Sequence, residues 1–165
     1  MTSSVLVVTG ERNWSLRALH LAAAMARTAG VGVVMARFVR VAHMEYLGAG
    51  AREALLSYEE YDDICEYART AEAYGVPFSV EMFEYNDYSG GLVSAAEHYD
   101  AAVVFAPAPS AIVEPLANLR LWWLRRTLGR PLYVLGRGDG PMAWTETAAA
   151  APNAAARPNI SAHQP

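Results

Sequence analysis

Five short apolar runs, set apart by stretches of helical period, constrain this chain more than any other feature. Val5-Leu6-Val7-Val8 and Ala101-Ala102-Val103-Val104-Phe105 are apolar at consecutive positions, the pattern of strands covered on both faces. Such strands belong to parallel sheets, whose crossovers are helices. The first run passes through Thr9 and Gly10 into a helix expected over Leu16 to Thr28, with Asn13 or Ser15 as its cap. Leu16, Leu19, Ala22, Ala23 and Ala26 share one face of that helix. Gly30 stops it, and Val31 to Val41 gives the second strand, with Val33 to Val39 as its run. The loop from His43 to Gly50 then leads into a long helix from about Arg52 to Tyr74. Its expected inner face is Leu55, Tyr58, Tyr61, Ile64, Cys65, Ala68 and Ala71, which makes Cys65 a small core residue.

Gly75-Val76-Pro77 ends the long helix in the usual order, glycine after the last turn and proline before the next element. The strand Phe78 to Tyr85 alternates apolar with polar residues, so it belongs near a sheet edge. A helix over Ser89 to Tyr99, one over about Pro115 to Gly129 and a last strand, Leu132 to Leu135, complete the series. Five strands in strict alternation with four helices make an α/β chain with a single doubly wound parallel sheet.

Large apolar residues thin out after Leu135. Residues 1–135 are therefore expected as the folded domain and residues 136–165 as a disordered Ala/Pro-rich tail. Arg137-Gly138-Asp139 and the Asn159-Ile160-Ser161 sequon fall in that tail and read as chance matches. A single cysteine builds no disulfide framework. The first ten residues have no basic segment and only a four-residue apolar run, so no secretory signal or membrane insertion is expected and the location is expected to be cytoplasmic. All 13 basic residues are arginines, but the net charge of −4 and their scatter argue against nucleic acid as a partner.

Ligands of doubly wound domains bind at the carboxyl ends of the strands. The loop after the first strand, Thr9-Gly10-Glu11-Arg12-Asn13, has one glycine, and Glu11 opposes a phosphate. The loop after the fourth, Ala106-Pro107-Ala108-Pro109-Ser110-Ala111, carries two prolines where N–H donors would be needed. Thr9, Gly10, Glu11, Asn13 and Ser110 are thus the residues of a vestigial nucleotide cleft at most. His20, His43, His98 and His163 stand apart, so no metal is expected. Cys65 and Ser110 lack the setting of a nucleophile, and no catalytic residue or cofactor is assigned. The acidic run Glu59-Glu60 with Asp62-Asp63 reads as a solvated helix face.

The last helix carries two apolar stripes. Ala117, Leu121, Leu124 and Leu128 suffice for packing on the sheet, while Leu116, Leu119 and Trp123, with Trp122 beside them, point nearly the opposite way. A second stripe of leucine and tryptophan reads as an interface. Arg120, Arg125, Arg126 and Arg130 are either a solvated face or a contact for an acidic partner.

The order and lengths of these elements resemble the universal stress protein family. The likeness rests on Val5-Leu6-Val7-Val8-Thr9-Gly10, the helix opening Leu16-Arg17-Ala18-Leu19, Ala71-Glu72-Ala73-Tyr74-Gly75-Val76-Pro77, the Ala101 to Phe105 run, and the ending Arg130-Pro131-Leu132-Tyr133-Val134-Leu135. It spans about residues 4 to 135 and implies an adenine-nucleotide α-hydrolase-like sheet in the order 3-2-1-4-5. ATP-binding members carry an acidic residue in the first turn, then Gly-x-x-Gly, nine residues and Gly-Ser/Thr after the fourth strand. Here Gly10 follows Thr9, and Ala106 to Ala111 and Asn118-Leu119-Arg120 replace the glycine pattern. The resemblance therefore implies a divergent member that does not bind ATP in the family manner. It also implies a homodimer joined near the last strand, with Tyr133 added to Leu116, Leu119, Trp122 and Trp123. The expected function is non-catalytic regulation or protection through homodimerisation. An accessory interaction subunit of a larger enzyme or transporter complex, and a residual adenine-nucleotide-binding protein, are the alternatives.

Overall fold

The computed structural model describes residues 3–41, 57–107 and 114–135, except for the side chains of 114–118 and of Arg120. Nine elements alternate: β1 (Ser4–Val8), α1 (Arg12–Ala29), β2 (Gly32–Arg40), α2 (Tyr58–Tyr74), β3 (Phe78–Tyr85), α3 (Tyr88–His98), β4 (Ala101–Phe105), α4 (Glu114–Leu128) and β5 (Leu132–Tyr133). The strands form one parallel sheet in the order β3-β2-β1-β4-β5, as expected. β1 lies at its centre and is buried along its whole length. The alternation of its side chains divides the core. Val5 and Val7 face α1 and α2 in one cluster, and Leu6 and Val8 face α3 and α4 in the other. The apolar run of β1 is thus satisfied by helices on both sides of the sheet.

Helix ends follow side-chain chemistry that periodicity does not register. α1 starts at Arg12, ahead of the expected Leu16, because Glu11 caps it by accepting the Asn13 N–H. Neither expected cap serves. Ser15 is fully buried and accepts the Gly10 N–H at 2.9 Å. α2 starts at Tyr58 on a capping box in which the Ser57 hydroxyl accepts the Glu60 N–H and the Glu60 carboxylate accepts the Ser57 N–H. The expected start near Arg52 lies outside the described residues. α1 and α2 each stop on a glycine at φ 69°, Gly30 and Gly75, a conformation that disfavours any side chain.

The inner face of α2 differs from expectation. Tyr67 and Ala71 are its buried residues, while Tyr58, Tyr61 and Ala68 are exposed and Cys65 is half-buried. Leu55 lies outside the described residues. Tyr67 is held in by the α1 side, where its hydroxyl bonds to Ser15, and Arg12 of α1 pairs with Asp63 at 3.0 Å and Glu66 at 2.5 Å. β5 is shorter than expected, pairing only Leu132 with Val104 and Tyr133 with Phe105. The segment 136–165 lies outside the described residues.

α3 approaches β3 so closely that a Cβ on Gly91 would lie 2.6 Å from Tyr85 Cβ. Gly90, one residue earlier, would meet only Asp87 Oδ2 at 3.4 Å. Gly91→Ala is expected to destabilise by about 1–3 kcal/mol through overpacking, outweighing the roughly 1 kcal/mol that alanine gains in a helix. Gly90→Ala should be neutral or stabilising. Urea denaturation of the pair checks the approach of α3 to the sheet, and equal effects would contradict it.

Candidate functional site

Of the loop after β4 only Ala106 and Pro107 are described; Pro107 lies beside Gly10 of the turn after β1, and that turn meets its own hydrogen-bonding needs. Thr9 donates to Ala36 O from both its N–H, at 2.9 Å, and its hydroxyl, at 3.3 Å. The Gly10 N–H goes to Ser15 Oγ, and the Asn13 N–H to Glu11 Oε1 at 3.2 Å. A phosphate binds a helix N-terminus through free N–H groups. Here three of the turn already have acceptors, and one acceptor is a carboxylate.

Space is short as well. Trp14 is 3 % exposed and packs on Gly10, where an added Cβ would lie 3.2 Å from its ring and 3.6 Å from Pro107. The Trp14 indole N–H donates to Leu135 O at 3.1 Å, which ties the turn to the end of the sheet. Tyr88 of α3 reaches the same loop, its hydroxyl donating to Pro107 O at 3.4 Å. Burial pushes that phenol far above its usual range, so it stays protonated and keeps donating. Thr9, Gly10, Glu11 and Asn13 are thus brought together, with Glu11 serving as a helix cap. Ser110 lies outside the described residues. Trp14 was missed because it precedes the expected helix. Its position four residues after Gly10 is the signal that marks it.

Thr9 and Gly10 also border a cavity of about 450 Å³ on the α1/α2 side of the sheet. Its walls are Arg37 of β2, Glu60, Asp63, Ile64 and Tyr67 of α2, and Val80 and Met82 of β3. The acidic run is therefore only in part a solvated face. Glu59 and Asp62 are exposed, but Glu60 Oε1 meets Arg37 Nη2 at 2.7 Å and Asp63 meets Arg12. The Glu60 carboxyl is held below its ordinary range, first by the Ser57 N–H and then by Arg37. Arg37 is the second residue that periodicity missed, and an arginine inside an apolar strand was its signal.

The outer face of α4 carries the second stripe. Leu119, Trp122 and Trp123 are 60, 58 and 51 % exposed, whereas Leu124 and Leu128 are buried against the sheet. The side chain of Leu116 lies outside those described, as do those of Ala117 and Arg120. Tyr133 does not belong to this stripe. It sits on β5, half-buried and stacked on Phe105 at 5.1 Å between centroids. Two of the arginines have internal roles. Arg126 lies over the Trp122 ring at 5.8 Å. Arg130 fastens α3 to β4 by donating to Ala96 O at 3.0 Å and to Ala101 O, with Asp100 at 3.7 Å.

The two described histidines pack on tyrosines. His20 Nδ1 lies 3.2 Å from Tyr74 Oη, and His98 rests edge-on against Tyr99. His43 and His163 are outside the described residues. Among the described residues no group of three or more His, Cys, Asp or Glu is placed to hold a metal ion, and no helix is long and apolar enough to cross a membrane.

No protein-family model and no curated protein matches this chain. Solved structures do. A universal stress protein in complex with cAMP matches at 15 % identity and a TM-score of 0.58, over 83 % of this chain and 99 % of its own. One from Burkholderia pseudomallei matches at 18 % and 0.55, over 81 % and 95 %. A third, from Lactobacillus plantarum, matches at 13 % and 0.54, over 81 % and 97 %. Taken with the 3-2-1-4-5 sheet and its four helices, these likenesses show that the chain has the fold of the universal stress proteins.

Proposed function

We propose that this chain is a non-catalytic, universal-stress-like regulatory or protective protein that works as a homodimer, using the outer face of α4. The observation that carries the reading is the exposure of Leu119, Trp122 and Trp123 on one helix face, when Leu124 and Leu128 already satisfy the sheet. Burying a large apolar side chain contributes about 1.5–3 kcal/mol. Tryptophan is also among the residues that dominate association energies. α4 leads directly into β5, the edge strand of the sheet. An accessory subunit docked on a larger complex would use the same face. Its mark is a chain that stays monomeric alone.

Absence of catalysis follows from the same reading. The turn after β1 has acceptors of its own for its N–H groups, and Trp14 and Pro107 crowd the space beside it. One structural neighbour holds cAMP, so the test uses cAMP together with AMP and ATP. None of the three at millimolar concentration is expected to raise the melting temperature of the purified chain. A stabilisation of about 2.7 kcal/mol, the amount expected at a hundredfold excess over Kd, would instead establish a nucleotide site. Light scattering on the same sample should give twice the chain mass, and a monomer would overturn the dimer.

A further inference from the structure

The two edges of the sheet are built differently. One ends on β5, which pairs only through Leu132 and Tyr133. The other is β3, whose residues from Phe78 to Tyr85 all pair with β2 without a shift in register. Proteins blunt exposed edges with short strands, prolines, lysines or bulges. β5 is short, whereas β3 is long and has no proline, lysine or bulge.

The ladder decides which way the backbone groups of β3 point. The Val33 and Val41 N–H groups donate to Pro77 O and Tyr85 O, each at 2.8 Å. In a parallel ladder every second residue turns both its backbone groups to the same neighbour, so Ser79, Glu81 and Phe83 face β2 as well. Phe78, Val80, Met82 and Glu84 therefore aim their N–H and C=O groups away from the sheet, and no described strand meets them. Such a row of alternating donors and acceptors is matched by another extended backbone. The edge is also firmly backed. Phe38 of β2 packs on Phe83 and Tyr85 at 5.5 and 5.3 Å between centroids, and α3 presses on Tyr85 through Gly91. Docking would order little that is not already fixed.

Charge narrows the occupant. β3 carries Glu81 and Glu84 and no basic residue, and α3 with its cap adds the exposed Glu97 and Asp87 and no arginine. Glu81 is exposed and has no ion-pair partner among the described residues. Of the arginines on β2, Arg37 is held by Glu60, and Arg40 stands opposite Tyr85, beyond Phe83. A second copy fits poorly, because antiparallel pairing of two β3 strands at full overlap sets Glu81 opposite its own copy or diagonal to it.

We infer that the outer edge of β3 receives an extended segment of a partner protein, which adds a strand to the sheet and sets a basic residue opposite Glu81. β3 is the edge farthest from β5, so this surface is separate from the α4 stripe.

The test is an amide-detected NMR titration of the full 15N-labelled chain with the capped peptide Thr-Val-Arg-Val-Arg-Val-Thr. Its arginines fall on the Glu81 face when its valines fall on the face of Val80 and Met82. One control peptide has glutamate for both arginines, and another is N-methylated at the central valine. The arginine peptide is expected to shift the amides of Val80, Met82 and Glu84 saturably and to slow their hydrogen exchange about tenfold or more. Those of Ser79, Glu81 and Phe83, already bonded to β2, should change little. N-methylation should raise Kd about tenfold, and the glutamate exchange about fivefold or more. Met82→Pro removes an outward N–H without touching the β2 ladder, and should abolish saturable binding. Glu81→Arg should turn the preference to the glutamate peptide, and it keeps the test open if Met82→Pro does not fold. Equal binding of either control, protection that does not alternate along β3, shifts confined to other regions, or no saturable shift at millimolar peptide would each overturn the proposal. So would outward amides protected in the free chain in step with its concentration, which would give the edge to a second copy.

Discussion

Replacing Trp14 with alanine is expected to lower stability by about 3–5 kcal/mol, the range for removing a large aromatic from a packed core. In a domain of this size that amounts to a fall of roughly 10–20 °C in melting temperature. The magnitude follows from three roles held at once. Trp14 is nearly fully buried in the α1/α2 core, supports the Gly10 turn from below, and donates its indole N–H to Leu135 O. Trp14→Phe separates these roles, because it keeps most of the packing and loses the hydrogen bond. Its expected loss is about 1–2 kcal/mol, that of the bond and the unmet carbonyl. Thermal denaturation followed by circular dichroism measures both. A loss below 1 kcal/mol for Trp14→Ala would mean that the Gly10 turn is not held by this side chain.

The weight on Trp14 explains why the fold was readable from the residues and the site was not. Consecutive apolar positions in Val5–Val8 have one physical solution, cover on both sides, and helices supply that cover. The doubly wound sheet and the helix count followed from such runs, and the strand order from the family resemblance. The face of α2 had two solutions. Tyr58, Tyr61, Cys65 and Ala68 present nearly the same residue types as Ile64, Tyr67, Ala71 and Tyr74, and period alone does not rank them. The choice is made by partners distant in sequence, Ser15 for Tyr67, His20 for Tyr74 and Arg12 for Asp63. The cleft has the same character. Missing glycines marked it as poor for phosphate, but what crowds Gly10 is Trp14 and Pro107, residues 93 apart whose meeting depends on β1 and β4 being neighbours.

Arg37 shows the same limit from the other direction. Within Val33-Val34-Met35-Ala36-Arg37-Phe38-Val39 it reads as the polar tick of a half-wet strand. Only the register with β3 and the arrival of Glu60 on α2 turn it inward over an apolar floor. A stripe is easier to read because it is local. Leu119, Trp122 and Trp123 lie within five residues, so their common face follows from helical geometry alone, and all three are over half exposed.

That local stripe gives the second large effect. Trp122→Asp with Trp123→Asp should leave the fold intact, since both side chains already stand more than half in solvent and the packing of α4 rests on Leu124 and Leu128. Circular dichroism should be unchanged and the melting temperature nearly so at low concentration. Association should collapse. Each tryptophan truncated from an interface centre costs about 2 kcal/mol or more, so together they raise the dissociation constant about a thousandfold, and a carboxylate buried in their place adds its desolvation. Arg126 sharpens the experiment, because its guanidinium lies over Trp122 and loses that ring in the double variant. Arg126→Ala alone should weaken association far less, as a charge at the rim of a contact does. Sedimentation velocity across a concentration series reads all three proteins. An unchanged dimer in the double variant would remove α4 from the interface and leave the β5 edge as the remaining candidate. Loss of the folded signal would mean that the stripe belongs to the core.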